Sequence, residues 1–272
     1  MPELPDVEIF RRRLDEAAAG RRITDAKVRD ARLLEGISAR ELERRLVGRR
    51  IQTTQRHGKH LIAMLDDGSA LVLHFGMTGT LETSAEGGIT PQYEVLHIGL
   101  ERGGWASVTS RRKLGHIWLT GNIRTFLQDH EQGPDALAQA LNVKAFSAAL
   151  GSTRSTLKAA LMDQARIAGI GNIYSDEILF QMRLHPLTLV GDLDPDQLDE
   201  LYRTTTRVLR QAIARGVMAE GPASAFPGDW LSSHREKGGR CPRCRTPLET
   251  LKSGGRTAYF CPRCQPRHTA RS

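Results

Sequence analysis

Residues 241–264 read CPRCRTPLETLKSGGRTAYFCPRC and hold all four cysteines of the 272-residue chain. The spacing, C-x2-C-x16-C-x2-C, falls within the template for a four-thiolate zinc site. Each C-x-x-C turn can aim two sulfurs at one metal, and the residues between can form a hairpin that closes a tetrahedral shell. Both turns read C-P-x-C, and proline favours a tight turn there. Two disulfides or two redox pairs are the alternative. The start, MPELPDVE, has neither a basic n-region nor an apolar h-region, so no secretory signal is expected and disulfides are disfavoured. The expectation is one structural Zn2+ on Cys241, Cys244, Cys261 and Cys264, with no position open for catalysis. Gly254-Gly255-Arg256 reads as the hairpin tip and presents one arginine.

The net charge is +8, and its excess sits at this end. Residues 230–272 hold ten basic and two acidic side chains, whereas residues 1–229 hold 29 of each. Such a segment meets a polyanion, nucleic acid above all, or serves as a solubilising tail; charge alone does not separate the two. With 39% hydrophobic and 26% charged residues, the composition is globular, neither disordered nor membranous. The longest apolar runs, such as Ala70-Leu71-Val72-Leu73, fall far short of the about 20 residues a spanning helix needs.

Upstream, residues 216–240 are rich in Gly, Ala, Ser and Pro, the composition of a functional or disordered loop. Helices are expected over 194–215, 173–182, 154–164, 144–150 and 135–141. The 194–215 segment opens on Asp194-Pro195, an N-cap followed by proline at the first helical position. Residues 121–135 read as a linker. Between Arg49 and Thr120, short apolar or β-branched runs (51–55, 60–65, 70–75, 93–100, 105–109 and 116–119) alternate with turns such as Asp66-Asp67-Gly68, as in an antiparallel sandwich or barrel. Residues 6–19 carry Val7, Phe10 and Leu14 at helical spacing. Ser38 to Glu41 is a capping box that opens a short helix to Leu46.

Four stretches can carry chemistry. Proline is small, so removal of Met1 is expected to leave Pro2 as an amine beside the Glu3 carboxylate. An α-amino group, with a pKa of about 7.7–8, is a better neutral nucleophile than lysine and can form Schiff bases. The adjacent carboxylate can move protons. Read alone, the dipeptide is more simply a terminus without a role. Arg56-His57-Gly58-Lys59-His60 is a phosphate site or a solvated turn. Gly169-Ile170-Gly171-Asn172 lies between two expected helices; it lets backbone and a helix N-terminus approach an anion, or it is only a tight turn. Ser110-Arg111-Arg112-Lys113-Leu114-Gly115 is a second basic turn after a strand.

Together these pieces resemble the formamidopyrimidine-DNA glycosylase/endonuclease VIII family, over essentially the whole chain and in family order. The matching motifs are PELPDVE at 2–8, GKHL at 58–61, HFGMTG at 74–79, GPDAL at 133–137, LMDQARIAGIGNIYSDEILF at 161–180 and CPRC-x16-CPRCQ at 241–265. PELP and the methionine of HFGMTG favour the formamidopyrimidine branch. The resemblance implies an α+β multidomain fold. An N-terminal catalytic antiparallel β-sandwich with flanking helices (1–121) is followed by a linker (122–135), a helix–two-turn–helix DNA-binding domain (136–228) and a four-cysteine zinc finger with a β-hairpin (229–272).

The resemblance also implies a bifunctional DNA glycosylase and abasic-site lyase of base-excision repair. It would act as a cytoplasmic monomer on double-stranded damaged DNA, with no membrane partner. Such enzymes flip the damaged nucleotide out of the stack. Pro2 would attack C1′ of the deoxyribose, Glu3 would serve as general acid/base, and Lys59 would hold the phosphate or sugar near the lesion; β,δ-elimination would then open the strand. Asn172 and Arg256 would contact backbone phosphates with Lys158 in support. Met77 would fill the gap left by the flipped nucleotide, and Arg112 and Leu114 would meet the opposite strand. A catalytically silent lesion-binding protein of the same fold is the alternative. An unrelated zinc-ribbon protein would leave PELPDVE and the GIGN turn without a role.

Two stretches depart from the family pattern. The second basic turn has Ser110 where the family usually has Asp, and Leu114 where it has a stacking phenylalanine, which puts the opposite-base preference in question. The segment 217–239 looks shorter than the loop that closes over 8-oxoguanine, which weakens the case for that lesion.

Overall fold

The computed structural model describes residues 1–89, 91–151, 154–219 and 221–267. Residue 220 of the expected loop and residues 268–272 of the expected zinc finger lie outside the described residues. The chain packs as two compact units: Met1–Pro2 with Asp6–His130, and Glu3–Pro5 with Glu131 onward.

The first unit is a β-sandwich of two four-stranded antiparallel sheets. Helix α1 (Leu4–Ala18) precedes it and buries Val7, Phe10, Leu14 and Ala18. Phe10 meets Phe75 with ring centroids 4.8 Å apart. One sheet runs in the order β1 (Ile23–Val28), β6 (Glu94–Leu100), β7 (Trp105–Ser110), β5 (Gly79–Ser84). The other runs β2 (Ile51–His57), β3 (His60–Leu65), β4 (Ala70–His74), β8 (His116–Thr120). β1 and β5 were absent from the expected strands. Both are edge strands; β1 turns only Ile23 and Ala26 fully inward and β5 only Leu81, too weak an apolar alternation to read. Helix α2 (Ala39–Leu46) forms as expected, with the Ser38 hydroxyl accepting from Glu41 N. The reciprocal half of the box gives way to ion pairing, for the Glu41 carboxylate binds Arg44 at 2.7 Å.

β3 and β4 are buried on both faces, and the reason corrects one expectation. The stretch 122–135 is not all linker: Ile123–Asp129 forms helix α3, with the Asn122 side chain accepting from Thr125 N as its cap. Phe126 of α3 packs on Ile62, Ala70 and Val72, with Trp118 and Met64 alongside. Burying one phenylalanine stabilises by roughly 1.5–3 kcal/mol, enough to hold a two-turn helix against the sheet.

In the second unit α4 (Val143–Leu150), α5 (Leu157–Met162), α6 (Asn172–Gln181) and α7 (Pro195–Arg215) share one core with Leu4. Asp194 and Gln197 cap α7 reciprocally, and Gly216 ends it in the left-handed conformation at φ 67°. The expected helix at 135–141 does not form. Its backbone pairs elsewhere: Ala136 N donates to Ala168 O, and Ala168 N donates to Pro134 O. The hairpin β9 (Glu249–Ser253)–β10 (Arg256–Phe260) turns at Gly254-Gly255. Both glycines have positive φ, 56° and 71°, as a two-residue type I′ turn requires.

Helix α6 is the axis of this unit, buried from Tyr174 to Phe180. Its Glu177 carboxylate is fully buried and accepts from Ser232 N and Oγ, each at 2.9 Å, and from Gln181 Nε2 at 2.6 Å. Burial pushes its pKa up to about 7, against the lowering effect of those donors. A raised carboxylate pKa means that the folded state holds a proton the unfolded chain has released. The stabilisation is therefore complete below about pH 4.5, the ordinary glutamate value, and is lost as pH rises through about 7. Urea unfolding between pH 4.5 and 8 should show stability falling by about 3 kcal/mol from this group. Glu177→Gln should flatten that component of the profile.

Candidate active site and nucleic-acid interface

Glu3 is 1% exposed, and its carboxylate sits on the N-terminus of α6. Oε2 accepts from Gly171 N at 2.8 Å and Tyr174 N at 3.2 Å, and Oε1 accepts from Ile173 N at 2.8 Å. Three of the donors that a helix start leaves unpaired are thus satisfied by one anion, at the positive end of the helix dipole. The expected anion at the GIGN turn is therefore the chain's own carboxylate. The two glycines have separate reasons. A Cβ on Gly171 would lie 2.4 Å from Glu3 Cδ; one on Gly169, at φ 115°, would lie 2.6 Å from Leu4 Cδ1. Leu4 N also donates to Gly169 O at 2.9 Å, so residues 3 and 4 are both clamped. Pro2, next in the chain, is buried. With Met1 attached its nitrogen is an amide, and removal of Met1 turns it into a secondary amine.

Lys59 follows Gly58 in the two-residue turn between β2 and β3, where His57 pairs with His60. Gly58 takes φ 55°, at the position where a type II′ turn places glycine. Lys59 and His60 are each only 6% exposed, so this stretch is not a solvated turn. Arg56 faces Glu8 at 3.4 Å. His60 lies among His74, Trp118 and Phe126, at centroid distances of 5.3, 5.8 and 5.8 Å. Burial, then the neighbouring His74 and His130, bring its pKa down to about 3. His74 falls to about 4, again by burial first, so both rings are neutral near pH 7.

The structure brings Met77, Arg112 and Leu114 together. Arg112 N donates to Thr78 Oγ1 at 3.0 Å. Gly76, at φ 59°, passes so close that a Cβ there would lie 2.1 Å from Leu114 O. Ser110 accepts from Lys113 N at 3.0 Å, so its hydroxyl closes the turn. Lys113 is further held by Asp30, Nζ to Oδ2 2.6 Å. Leu114 is 45% exposed, an apolar side chain displayed to solvent, while Met77 is half-buried and Arg112 exposed.

Asn172 begins α6, and its Oδ1 is buried with no hydrogen-bond partner among the described residues. Lys158 was expected in support of the phosphate contacts. It is fully buried, and its ammonium donates to Asn172 O, Ser175 Oγ and Asp176 Oδ1 at 3.2, 3.0 and 2.6 Å. Its three protons are used internally, and it steadies the residues that begin α6. Arg256 is exposed at the start of β10. Asp176 and Gln265 were missed by the sequence reading. Each is a lone polar residue whose partners are remote in sequence, and neither carries a local signal.

The four cysteine sulfurs lie within 4.8 Å of one another. Cys241 and Cys264 are 3.8 Å apart and Cys244 and Cys261 3.4 Å, beyond disulfide bonding and near the about 3.8 Å edge of a tetrahedron with 2.3 Å zinc–sulfur bonds. Both knuckles close alike, Arg245 N to Cys241 O and Gln265 N to Cys261 O, each 2.9 Å. The buried Gln265 amide adds bonds to Cys261 N and Leu184 O. Arg243 docks on the C-terminal end of α6, donating to Phe180 O at 2.7 Å with its guanidinium 4.0 Å from the Phe180 ring.

A β-sandwich unit and a helical unit that ends in a thiolate hairpin define a multidomain zinc-finger protein of the helix–two-turn–helix class. Three family models match in succession. They are the formamidopyrimidine-DNA glycosylase N-terminal domain over 1–117, the H2TH domain of that glycosylase over 132–221, and a zinc finger found in FPG and IleRS over 238–267. The formamidopyrimidine-DNA glycosylase of Synechococcus elongatus is 35% identical, with 99% of each chain covered. That of Geobacter sulfurreducens is 33% identical over 97% of this chain and 100% of its own. A solved structure of Lactococcus lactis Fpg with DNA containing an abasic site superposes with a TM-score of 0.85 at 26% identity, over 97% of this chain and 100% of that one. A second, with N7-benzyl-Fapy-dG DNA, gives 0.85 at 26% over 98% and 100%. This chain belongs to the formamidopyrimidine-DNA glycosylase family. Its cysteine cluster fits one structural Zn2+. No described helix is long and apolar enough to cross a membrane.

Gly171→Ala should push Glu3 off the helix. A cost of about 1–3 kcal/mol for the unsatisfied donors and a fall of roughly 100-fold or more in strand cleavage are expected, read by urea melts and nicking of an abasic duplex. The protein should carry one zinc per chain by metal analysis. Cys261→Ser should lower that content and remove most of the affinity for duplex in a gel-shift titration.

Proposed function

We propose that this chain, a DNA glycosylase and abasic-site lyase of base-excision repair, works through an iminium on Pro2. The observation that carries the reading is the Glu3 carboxylate, buried and fixed by three peptide N–H groups directly beside Pro2. Once Met1 is removed, the Pro2 amine attacks C1′ and the damaged base departs, taking up a proton. Glu3 protonates the sugar oxygen as the ring opens, leaving an iminium between Pro2 and C1′. Loss of a C2′ proton then breaks the C3′–O bond, and loss of a C4′ proton breaks the C5′–O bond. Hydrolysis of the iminium releases the unsaturated sugar and frees the Pro2 amine, so the gap carries phosphate at both ends. Lys59, buried in the β2–β3 turn, holds the phosphate or sugar near the lesion. The structural Zn2+ orders the hairpin and takes no part in these steps.

The Lactococcus relative holds DNA with an abasic site in one structure and a Fapy lesion in another. We carry double-stranded damaged DNA over as the partner of this chain, with ring-opened and oxidised bases as its lesions. In this reading residues 1–121 do the chemistry while 136–228 and 229–272 grip the backbone through Asn172 and Arg256. Met77 fills the gap left by the flipped nucleotide. Arg112 meets the orphaned base, and Leu114 wedges beside it without aromatic stacking, as an exposed apolar side chain can. The protein acts as a monomer in the cytoplasm, on nucleoid DNA.

Borohydride trapping on a duplex with one abasic site tests the reading. A covalent adduct that peptide mapping places on Pro2 is the expected result. An adduct on a lysine would replace the nucleophile. No adduct, from zinc-loaded protein that binds the duplex, would leave a silent lesion-binding protein.

A further inference from the structure

Asp176 is 1% exposed and lies one turn into α6. Its carboxylate gathers three elements. Oδ1 accepts from Lys158 Nζ of α5 at 2.6 Å; Oδ2 accepts from Arg235 Nε at 2.9 Å and from Tyr259 N of β10 at 3.1 Å. Each of these donors reaches onward. Lys158 Nζ also binds Asn172 O. Arg235 Nη2 donates to Thr257 O at 3.2 Å, and its guanidinium lies 4.8 Å from the Tyr259 ring. The hairpin is braced on the same side, where Ser253 Oγ meets Thr156 Oγ1 at 3.0 Å and a Cβ on Gly254 would touch Met162 Cε at 3.1 Å.

One buried anion therefore stands between the residue that opens α6 and the strand that opens with Arg256. A buried ion pair adds little net stability compared with an apolar filling of the same space. What it supplies is direction, because each donor must meet an oxygen at a fixed angle. We infer that Asp176 is a positioning residue for DNA binding, which locks β10 to α6 so that Arg256 and Asn172 present their donors at one fixed spacing. This inference rests on the reading of those two residues as phosphate contacts. Phosphates along one strand are regularly spaced, so a hairpin free to rock would lose the second contact whenever it makes the first.

The test is a double-mutant cycle on the full-length, zinc-loaded protein, with a duplex carrying a tetrahydrofuran abasic analogue as the probe. Asp176→Asn should raise Kd about tenfold and lower the salt slope of binding by about one. In an Arg256→Ala background the same change should add less than about twofold, because the contact it positions is already gone. The loss in Kd should exceed the loss in cleavage rate at saturating abasic duplex by about tenfold, a split that general destabilisation would not produce. Asp199→Asn, in the surface pair with Arg203, serves as the control and should leave Kd unchanged. If Asp176→Asn does not fold, Arg235→Met enters the same cycle; it cuts the tie to Thr257 and leaves the Lys158–Asp176 pair intact. Full additivity with Arg256→Ala, while Arg256→Ala and Asn172→Ala themselves weaken binding, would overturn the inference alone. Parent-like binding by Arg256→Ala and Asn172→Ala would overturn the phosphate reading, and this inference with it.

Discussion

The start of a helix and the carboxylate of residue 3 are joined by three hydrogen bonds, and much of the second unit is arranged to permit them. A helix leaves its first N–H groups unpaired, and in water they are solvated. Helix α6 is buried nearly all round, so that route is closed and an internal acceptor is needed. Glu3 supplies it from 168 residues earlier in the chain. The approach demands two residues without side chains, which Gly169 and Gly171 provide. In the proposed mechanism the same contact would give the proton-transferring Glu3 a single orientation, which an exposed glutamate near a chain end would not have.

Along the rest of α6 the pattern repeats with other partners. Asp176 and Glu177 are neighbours, both buried, and their environments are opposite. Asp176 faces two cationic side chains and a peptide N–H, so its charge is compensated. Glu177 accepts from a serine and a glutamine, with the Arg243 charge nearby but not hydrogen-bonded to it, and burial outweighs them and drives it toward the protonated form. A polar axis of this kind is costly when incomplete and directional when satisfied. At its far end Arg243 joins the first cysteine knuckle to the last turn of the helix. The zinc-binding hairpin is thus set by the helix as well as by its metal.

The first unit shows how a departure from a family pattern is absorbed. Ser110 closes its turn through a hydroxyl that accepts from Lys113 N, as an aspartate side chain would, without the charge. Asp30 supplies a carboxylate from another part of the unit and pairs with Lys113. Leu114 remains displayed at the surface beside the Met77 loop. In the proposed reading Leu114 would wedge without aromatic stacking, since leucine offers bulk and apolar surface but no π-face.

Much of this was legible in one dimension. The zinc site was, because its ligands come in two local pairs and any chain that closes them must turn. The capped helices were, because Ser38 and Asp194 act on donors three residues away. The central strands were, because burial on both faces demands continuous apolar runs. The edge strands β1 and β5 were not, since an edge needs few inward side chains, and helix α3 was hidden because Phe126 acquires its meaning only against Ile62 and Val72. Lys158, Asp176 and Gln265 look like surface residues when read in order. Tertiary structure alone decided that Lys158 is buried and paired and that the helix start after Gly171 receives Glu3. Hydrogen bonds and ion pairs act over about 3 Å, and only the folded chain brings residues 3, 158, 176 and 259 that close.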